Sequence, residues 1–136
     1  MENILKKMKI SKETYNKLLN NSITTKQNKY KNKKVEYDGI KFDSQKEKSY
    51  YIKYKLMEKS GEIYDLRRQV PFELLQTFRL GDKTYRKTKY IADFTFYYKS
   101  GKFHVIDVKS KATRTQVYQL KKKLMAWKYG LEIEEV

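Results

Sequence analysis

Apolar and polar positions change their spacing along the chain, and the spacing predicts which element each segment forms. Alternation of apolar and polar residues, or a short run of β-branched and aromatic residues, is typical of strands. Four segments have this pattern, and we predict them as strands: residues 63–75, 90–98, 103–109 and 131–136. Apolar residues spaced three and four apart are typical of helices. Two segments have this spacing, and we predict them as helices: residues 45–60 and 115–129.

Turn and cap residues support these boundaries. Asp38-Gly39 lies between two short extended pieces and predicts a β-hairpin over residues 35–42. Ser44 and Gly61 are suited to begin and end the first helix, and Gly130 to end the second. Pro71 predicts a strand that is broken or lies at a sheet edge, and Gly81-Asp82 predicts a turn into the next strand. The second helix has an apolar stripe, which we expect to face the core: Val117, Leu120, Leu124 and Trp127.

The resulting order predicts an α/β (α+β) domain, with an αβββαβ core that follows the small β-hairpin. We assign residues 35–136 to this domain and residues 1–34 to a basic N-terminal arm. The arm has ten lysines against Glu2 and Glu13. Within it, Ser11 is suited to cap a short helix, with Ile10 packed onto Tyr15. A solvated tail and a nucleic-acid-binding arm both fit this composition.

Charge and composition narrow the classes of function. The formal net charge is +16, which favours a polyanionic partner such as DNA. No apolar run has the length of a membrane span and no segment resembles a signal peptide, so we expect a cytoplasmic protein without a membrane partner. The chain has no Cys and a single His104, which excludes disulfides, thiolate zinc sites and histidine clusters. A metal ion would therefore need oxygen ligands.

Two acids and a lysine interrupt the strands over residues 90–109. Alternation along the second of these strands places Asp107 and Lys109 on one face. A two-residue loop at Ser100-Gly101 would send Asp93 to the opposite face from Asp107. A three-residue loop, with Gly101 in the left-handed conformation, places Asp93 directly across from Asp107, and we predict this register.

Two neighbouring carboxylates repel each other unless a cation lies between them. Mg²⁺ prefers oxygen ligands of this kind, with Mn²⁺ as an alternative, and Lys109 is placed to orient or deprotonate the attacking water. Glu47 lies on the same face of the first helix as its aromatic residues, and it would extend the metal site. Ser44 and Glu47 also form a capping-box pattern, in which Glu47 only satisfies a helix amide. Spacing alone leaves both roles of Glu47 open.

Several segments resemble a known family. The motifs "ADF" and "IDVK", behind a helix with Glu47 and ahead of a basic helix, resemble the PD-(D/E)xK nuclease superfamily, whose core is αβββαβ. "KYKNKKVEYDGIKFDSQKE", "YIADFTFYYKSGK" and "DVKSKATRTQVYQLKKKL" are similar to small phage and prophage endonucleases related to Holliday junction resolvases. The resemblance covers residues 29–136. It implies a restriction-endonuclease-like fold with a mixed central sheet flanked by helices.

The resemblance also implies roles for individual residues. Asp93 matches the first acid, Asp107 the second acid and Lys109 the lysine, while Glu47 matches the additional acid of the first helix. Gln69, on the strand after that helix, is expected to support the site. Ala92 stands where the family has proline, the second acid is Asp where Glu is commoner, and the Gln-x-x-x-Tyr signature of the RecB-like branch is not present.

These observations predict an Mg²⁺-dependent endodeoxyribonuclease that hydrolyses phosphodiester bonds in branched or structured DNA, with no small-molecule substrate. Glu47, Asp93 and Asp107 would bind the metal. Cutting a four-way junction needs two sites, so we expect a homodimer. Basic residues near the second helix are expected phosphate contacts: Lys111, Arg114, Lys121 and Lys122. The alternative is a non-catalytic nucleic-acid-binding or regulatory protein that keeps the nuclease fold.

Overall fold

The computed structural model describes residues 11–14, 16 and 34–136. The chain divides into two compact units, Met1–Tyr64 and Asp65–Val136. Within the arm, the Ser11 hydroxyl accepts a hydrogen bond of 3.1 Å from the Thr14 amide, which confirms Ser11 as a helix cap. The expected contact of Ile10 with Tyr15 lies outside the described residues.

The elements follow the predicted order. They are β1 (Val35–Tyr37), β2 (Ile40–Phe42), α1 (Gln45–Lys59), β3 (Ile63–Leu75), β4 (Phe78–Leu80), β5 (Lys83–Tyr85), β6 (Thr88–Tyr98), β7 (Phe103–Asp107), a 3₁₀ turn (Lys111–Thr113), α2 (Gln116–Tyr129) and β8 (Ile133–Glu135). When the hairpins β1–β2 and β4–β5 are set aside, the order is αβββαβ. The chain is thus a mixed α+β protein, and the boundary between its two units lies inside β3.

The first unit is built from the β1–β2 hairpin and α1. Asp38 and Gly39 have φ angles of 53° and 72°, the left-handed pair that a tight two-residue hairpin requires. The Ser44 side chain caps α1 by accepting from the Glu47 amide. Helix α1 packs on both strands, and the ring of Phe42 lies 5.1 Å from that of Tyr51. The predicted hairpin and helix are both confirmed.

The second unit contains most of a four-stranded sheet with the order β3, β6, β7, β8. Strands β6 and β7 are antiparallel, whereas β7 and β8 are parallel, so the sheet is mixed as predicted. Strand β3 runs unbroken through Pro71 and lies at the edge of the sheet, where proline is tolerated. Gly81-Asp82 is the turn of a separate two-stranded hairpin, β4–β5, which is not part of this sheet.

Helix α2 packs against the sheet and closes the core of the second unit. The buried residues of this core come from the strands and from α2: Leu74, Tyr90, Ala92, Val105, Tyr118, Met125 and Ile133. The Thr115 side chain caps the helix by accepting from the Tyr118 amide, and Gly130 ends it with a φ of 64°. Both ends of α2 therefore agree with the sequence prediction.

The buried face of α2 differs from the predicted one. Val117, Leu120 and Trp127 are 63%, 57% and 80% exposed, and only Leu124 of the predicted stripe is partly buried. The residues that face the sheet are Tyr118 and Met125, which lie two turns apart. The prediction is wrong by about one residue, or roughly 100° of rotation, because hydropathy favours Leu and Trp over a tyrosine ring.

Candidate active site

The turn between β6 and β7 sets the register of the two strands. Phe94 pairs with Ile106 and Tyr97 with Phe103. The Tyr98 amide donates to the Lys102 carbonyl at 2.9 Å, and Gly101 has a φ of 92°. The loop therefore has three residues, 99–101, with its glycine in the left-handed region. The predicted register is confirmed.

The pairing of β6 with β7 ends one position before the two acids. Phe94 and Ile106 form the last pair, so the same register continued would bring Asp93 opposite Asp107. Strict alternation fails in this part of β6. Thr95 pairs with Val105, so their side chains lie on one face of the sheet. Ala92 belongs to the same core cluster as Val105 and therefore lies on that face as well. Strict alternation would instead put Ala92 and Thr95 on opposite faces. The side chains change face between Ala92 and Thr95, as they do at a bulge, and the predicted faces are wrong there.

Asp93 is held by two amide donors. Its Oδ2 accepts a hydrogen bond of 2.8 Å from the backbone amide of Val108, the residue after β7. Its Oδ1 accepts a hydrogen bond of 3.2 Å from Nε2 of Gln69 on β3. Gln69 has a φ of 50°, a left-handed conformation that is costly for a residue with a side chain. The expected support from Gln69 is thus a direct contact, made from a strained backbone position.

Asp107 is buried, with only 4% of the residue exposed. Its Oδ2 accepts a hydrogen bond of 2.7 Å from the hydroxyl of Tyr90, and its Oδ1 lies 3.4 Å from Nζ of Lys109. Burial raises the pKa of the Tyr90 hydroxyl, and the charge and hydrogen bond of Asp107 raise it further. Tyr90 therefore stays protonated and serves as a fixed donor to this carboxylate.

Lys109 follows the end of β7, because the strand ends at Asp107 and does not extend to residue 109 as predicted. Its side chain is 15% exposed, and its amine lies 4.0 Å from the centre of the Tyr118 ring on α2. A cation over the face of a tyrosine ring is attracted by the ring's negative face. Tyr118 thus holds the amine of Lys109 beside Asp107, which is the predicted pair of acid and lysine.

Glu135 completes the surroundings of Tyr118. It is the parallel partner of Asp107 on β8, and its Oε1 accepts a hydrogen bond of 3.0 Å from the Tyr118 hydroxyl. Nζ of Lys122 lies 3.0 Å from Oε1, and Nε of Arg114 lies 3.1 Å from Oε2. The hydrogen bond from Lys122 is the largest cause that lowers the pKa of Glu135. Burial, followed by the hydrogen bond to Glu135, raises the pKa of Tyr118.

The four basic residues expected at phosphate therefore have different surroundings. Arg114 and Lys122 are ion-paired with Glu135, which uses part of their donor capacity. Lys121 is half-buried on α2, and Lys111 begins the 3₁₀ turn. Their contact with DNA stays a prediction.

Glu47 belongs to the first unit, whereas the two aspartates belong to the second. It is 4% exposed, and its backbone amide donates to the Ser44 hydroxyl, which confirms Ser44 as the N-cap. The capping role of the Glu47 side chain stays a prediction. Its role as a third acid stays a prediction. Within residues 11–14, 16 and 34–136, no group of three or more His, Asp or Glu side chains is arranged to hold a metal ion.

Sequence reasoning missed three residues of this site, namely Tyr90, Tyr118 and Glu135. Tyr118 lies outside the apolar stripe predicted for the second helix, and a single sequence does not show where the hydroxyl of Tyr90 or Tyr118 points. One feature of the sequence could have located Glu135. A strand, a helix and a second strand in succession predict that the two strands are parallel neighbours in the sheet. That pairing would have placed the last strand beside Asp107.

The two acids and the lysine of this site lie within a segment that matches a sequence family. A family model described as "Protein of unknown function (DUF1064)" matches residues 27–134. The chain belongs to the DUF1064 family. The DUF1064 segment includes part of the first unit, the second unit up to residue 134 and the complete set of predicted site residues. No curated protein and no solved structure matches the chain. None of the described helices is long and apolar enough to span a membrane.

Proposed function

We propose that this protein is a metal-dependent endodeoxyribonuclease of the PD-(D/E)xK type. The observation that carries the proposal is the register of β6 and β7, which, continued by one position, brings Asp93 opposite Asp107, while the amine of Lys109 lies 3.4 Å from Asp107. Two acids on neighbouring strands, both held by donors, run against the ordinary depletion of Asp in strands. Such conflicts with local propensity are concentrated at functional sites.

The residues present fit a hard divalent cation such as Mg²⁺, with Mn²⁺ as an alternative. A carboxylate has about four lone-pair positions. Asp93 accepts from Gln69 and from the Val108 amide, and Asp107 accepts from Tyr90 and lies beside Lys109, so these donors orient both carboxylates as hard oxygen ligands of the kind that Mg²⁺ prefers. Asp93 and Asp107 would hold the ion. When bound, the ion would offset the charge that develops on the phosphate and lower the pKa of a bound water.

The chain's own residues perform the remaining tasks. In hydrolysis a water oxygen bonds to phosphorus, the bond from phosphorus to the leaving sugar oxygen breaks, and a proton returns to that oxygen. Lys109, held over Tyr118, orients the water or offsets negative charge on the five-coordinate phosphorus. Tyr90 keeps Asp107 in one orientation through its 2.7 Å hydrogen bond. Gln69 and the Val108 amide do the same for Asp93.

The net charge of +16 supports DNA as the substrate, because a positive surface attracts phosphate and its binding weakens with salt. Within DNA, we propose branched or structured forms, such as the four-way junction. Symmetric cutting of a junction would require a homodimer that presents two sites.

The deciding experiment incubates the full chain with linear, flapped and four-way-junction DNA, with Mg²⁺ or with EDTA. Wild type should cut at least one substrate in Mg²⁺ and none in EDTA. Asp107→Ala should not cut, whereas Asp82→Ala, which removes an exposed carboxylate from the β4–β5 turn, should cut like wild type. Symmetric nicks in the junction would support resolution, and nicking of every duplex would support a degradative role. If no substrate is cut, or if Asp107→Ala cuts like wild type, the proposal is wrong.

A further inference from the structure

The β4–β5 hairpin exposes apolar side chains to solvent, although folding favours their burial. Every residue from Leu75 to Lys87 is exposed. The apolar residues of the two strands are among the exposed ones, with Phe78 41%, Leu80 71% and Tyr85 36% exposed. A two-stranded hairpin is only marginally stable alone, and its apolar residues usually pack on a core. These apolar residues are therefore available to a partner.

The aromatic residues of the hairpin form a stacked pair. Phe78 and Tyr85 are direct cross-strand partners, and their rings lie 4.8 Å apart with an angle of 6° between their planes. The amine of Lys83 lies 4.8 Å from the centre of the Tyr85 ring. Phe78 makes no other ring contact with a described residue. One planar face of Phe78 therefore remains open to a further flat group.

Basic side chains surround this pair. Between Phe78 and Lys89 the chain has one acid, Asp82, and five basic residues, which are Arg79, Lys83, Arg86, Lys87 and Lys89. All five are exposed, and none forms a salt bridge with another residue of the described part of the chain. Arg114 and Lys122 near the acids, by contrast, are both ion-paired. The hairpin thus carries positive charge that is available to a partner.

The hairpin is also fixed at its base. The Thr77 hydroxyl accepts a hydrogen bond of 3.0 Å from the Lys87 amide, and this bond joins the two ends of the hairpin. Strand β6 begins at Thr88 and reaches Asp93 five residues later, which is a span of about 17 Å along a strand. That span corresponds to about half a turn of duplex DNA, so one nucleic acid molecule is long enough to reach both places.

We propose that the β4–β5 hairpin binds unpaired bases of nucleic acid, with a base stacked on Phe78 and phosphates bound by the surrounding lysines and arginines. An aromatic ring stacks on any base, whereas the bases of an intact duplex are already stacked on each other. Leu80 lies two residues from Phe78 on the same face and extends the apolar surface toward the tip. The proposed nuclease would then act on nucleic acid that contains unpaired bases. The choice of DNA over RNA rests on the proposed function, whereas the binding of unpaired bases does not.

Binding measured in EDTA tests the hairpin separately from cleavage. Fluorescence anisotropy would compare an oligothymidylate with a matched duplex, using the full chain and a Phe78→Leu variant. Leucine keeps the apolar contact across the hairpin but removes the aromatic face. We expect affinity for the single strand to fall about tenfold and affinity for the duplex to change less than threefold. An equal loss on both DNAs, or no loss on either, would overturn the proposal.

A tryptophan reporter tests the stacking itself. The chain has a single tryptophan, Trp127, so Phe78→Trp combined with Trp127→Phe places the only indole on the hairpin. Oligothymidylate should quench its fluorescence, and RNA of the same length should show whether the sugar matters. If the emission does not change while the DNA binds, no base stacks there and the proposal fails.

The charges are tested by salt dependence. Replacing both Arg86 and Lys87 by Gln should reduce the slope of log affinity against log salt by about 1.4 for a single strand. The matched control replaces Lys99 and Lys102, two exposed lysines beside the β6–β7 turn, and should change the slope less. Equal changes would contradict a specific role for the hairpin.

Analytical ultracentrifugation of the Phe78→Leu variant tests whether the hairpin binds a second copy of the chain and not nucleic acid. A fall in mass with unchanged DNA binding would mean that the hairpin joins two copies, and the proposal would be wrong.

Discussion

The β6–β7 pair and the β4–β5 hairpin are both antiparallel, and both turn through a glycine with positive φ. The two strand pairs differ in which side chains they bury. The β6–β7 pair buries the charged Asp107, whereas the hairpin exposes the aromatic ring of Phe78. Folding alone favours the reverse in each case, because buried charge and exposed aromatic surface both cost free energy. In both regions, the residues proposed to act on or bind nucleic acid are those whose exposure to solvent is opposite to what folding alone favours.

Truncation of an apolar side chain should have very different effects on stability in the two strand pairs. Phe94 is fully buried, so Phe94→Ala should lower the free energy of unfolding by about 3–5 kcal/mol. Leu80 is 71% exposed, and Leu80→Ala should change it by less than about 0.5 kcal/mol. Urea denaturation followed by circular dichroism measures both. A large loss in Leu80→Ala would mean that the hairpin is part of the folded core.

Neutralisation of a lysine that lies over a tyrosine ring should also have different effects in the two regions. Such a pair occurs in each region, Lys109 over Tyr118 and Lys83 over Tyr85. Lys109→Met keeps the aliphatic stem but removes the charge beside Asp107, and kcat should fall at least about 100-fold, or roughly 2.7 kcal/mol. Lys83→Met should leave kcat within about twofold and weaken DNA binding several-fold. Single-turnover cleavage and binding assays separate the two effects, and equal kcat values would contradict the assignment of Lys109.

Removal of a tyrosine hydroxyl should lower stability in one region and leave it unchanged in the other. Tyr90→Phe removes the donor to Asp107 and should cost about 1.5–3 kcal/mol, since this hydrogen bond involves a charged acceptor. Tyr85→Phe is the matched control, because its hydroxyl bonds no residue in the described part of the chain. Its stability should equal that of wild type.

The raised pKa of Tyr90 adds a pH test to this comparison. Its stabilisation is present below the ordinary pKa of 10.0 and is lost as pH rises above that value. Wild type should therefore lose more stability than Tyr90→Phe between pH 9 and about 11. If the stability of the two proteins falls equally as pH rises, then neither burial nor Asp107 raises the pKa of Tyr90.

The smallest effect is expected from the carboxylates. The pKa of Glu135 lies below its ordinary 4.5, so its stabilisation is present above that pH and is lost as pH falls below it. Glu135→Gln should cost about 1 kcal/mol at pH 7 and remove part of the acid limb. Asp82→Asn, at the exposed hairpin turn, should leave the whole profile unchanged. Thermal unfolding from pH 3 to 7 measures the difference.

Much of the fold was accessible from short-range signals. Asp38-Gly39 specified a turn, Ser44 and Gly130 specified helix ends, and the Gly101 loop specified the register that aligns Asp93 with Asp107. Each of these signals acts within a few residues, and local conformational energies decide its outcome. Such features can be predicted because no distant part of the chain needs to be known.

Features that depend on distant contacts were predicted poorly. The buried face of α2 depends on its contacts with the sheet and on the contact of the Tyr118 ring with the amine of Lys109. The change of face near Ala92 brings Tyr90 to Asp107, and it has no local signature comparable to a glycine turn. Pattern analysis sums over neighbours in sequence, so it does not detect a residue whose role is fixed by a partner on another element.

Gln69 has a consequence for laboratory evolution. Its left-handed backbone would be relaxed by glycine, which adopts positive φ without a steric penalty, at a gain of about 1 kcal/mol. The same substitution would delete the amide that donates to Asp93. The relief of strain and the loss of this hydrogen bond have opposite effects on stability, so Gln69→Gly should change stability little, and a selection that requires a positioned Asp93 should retain glutamine.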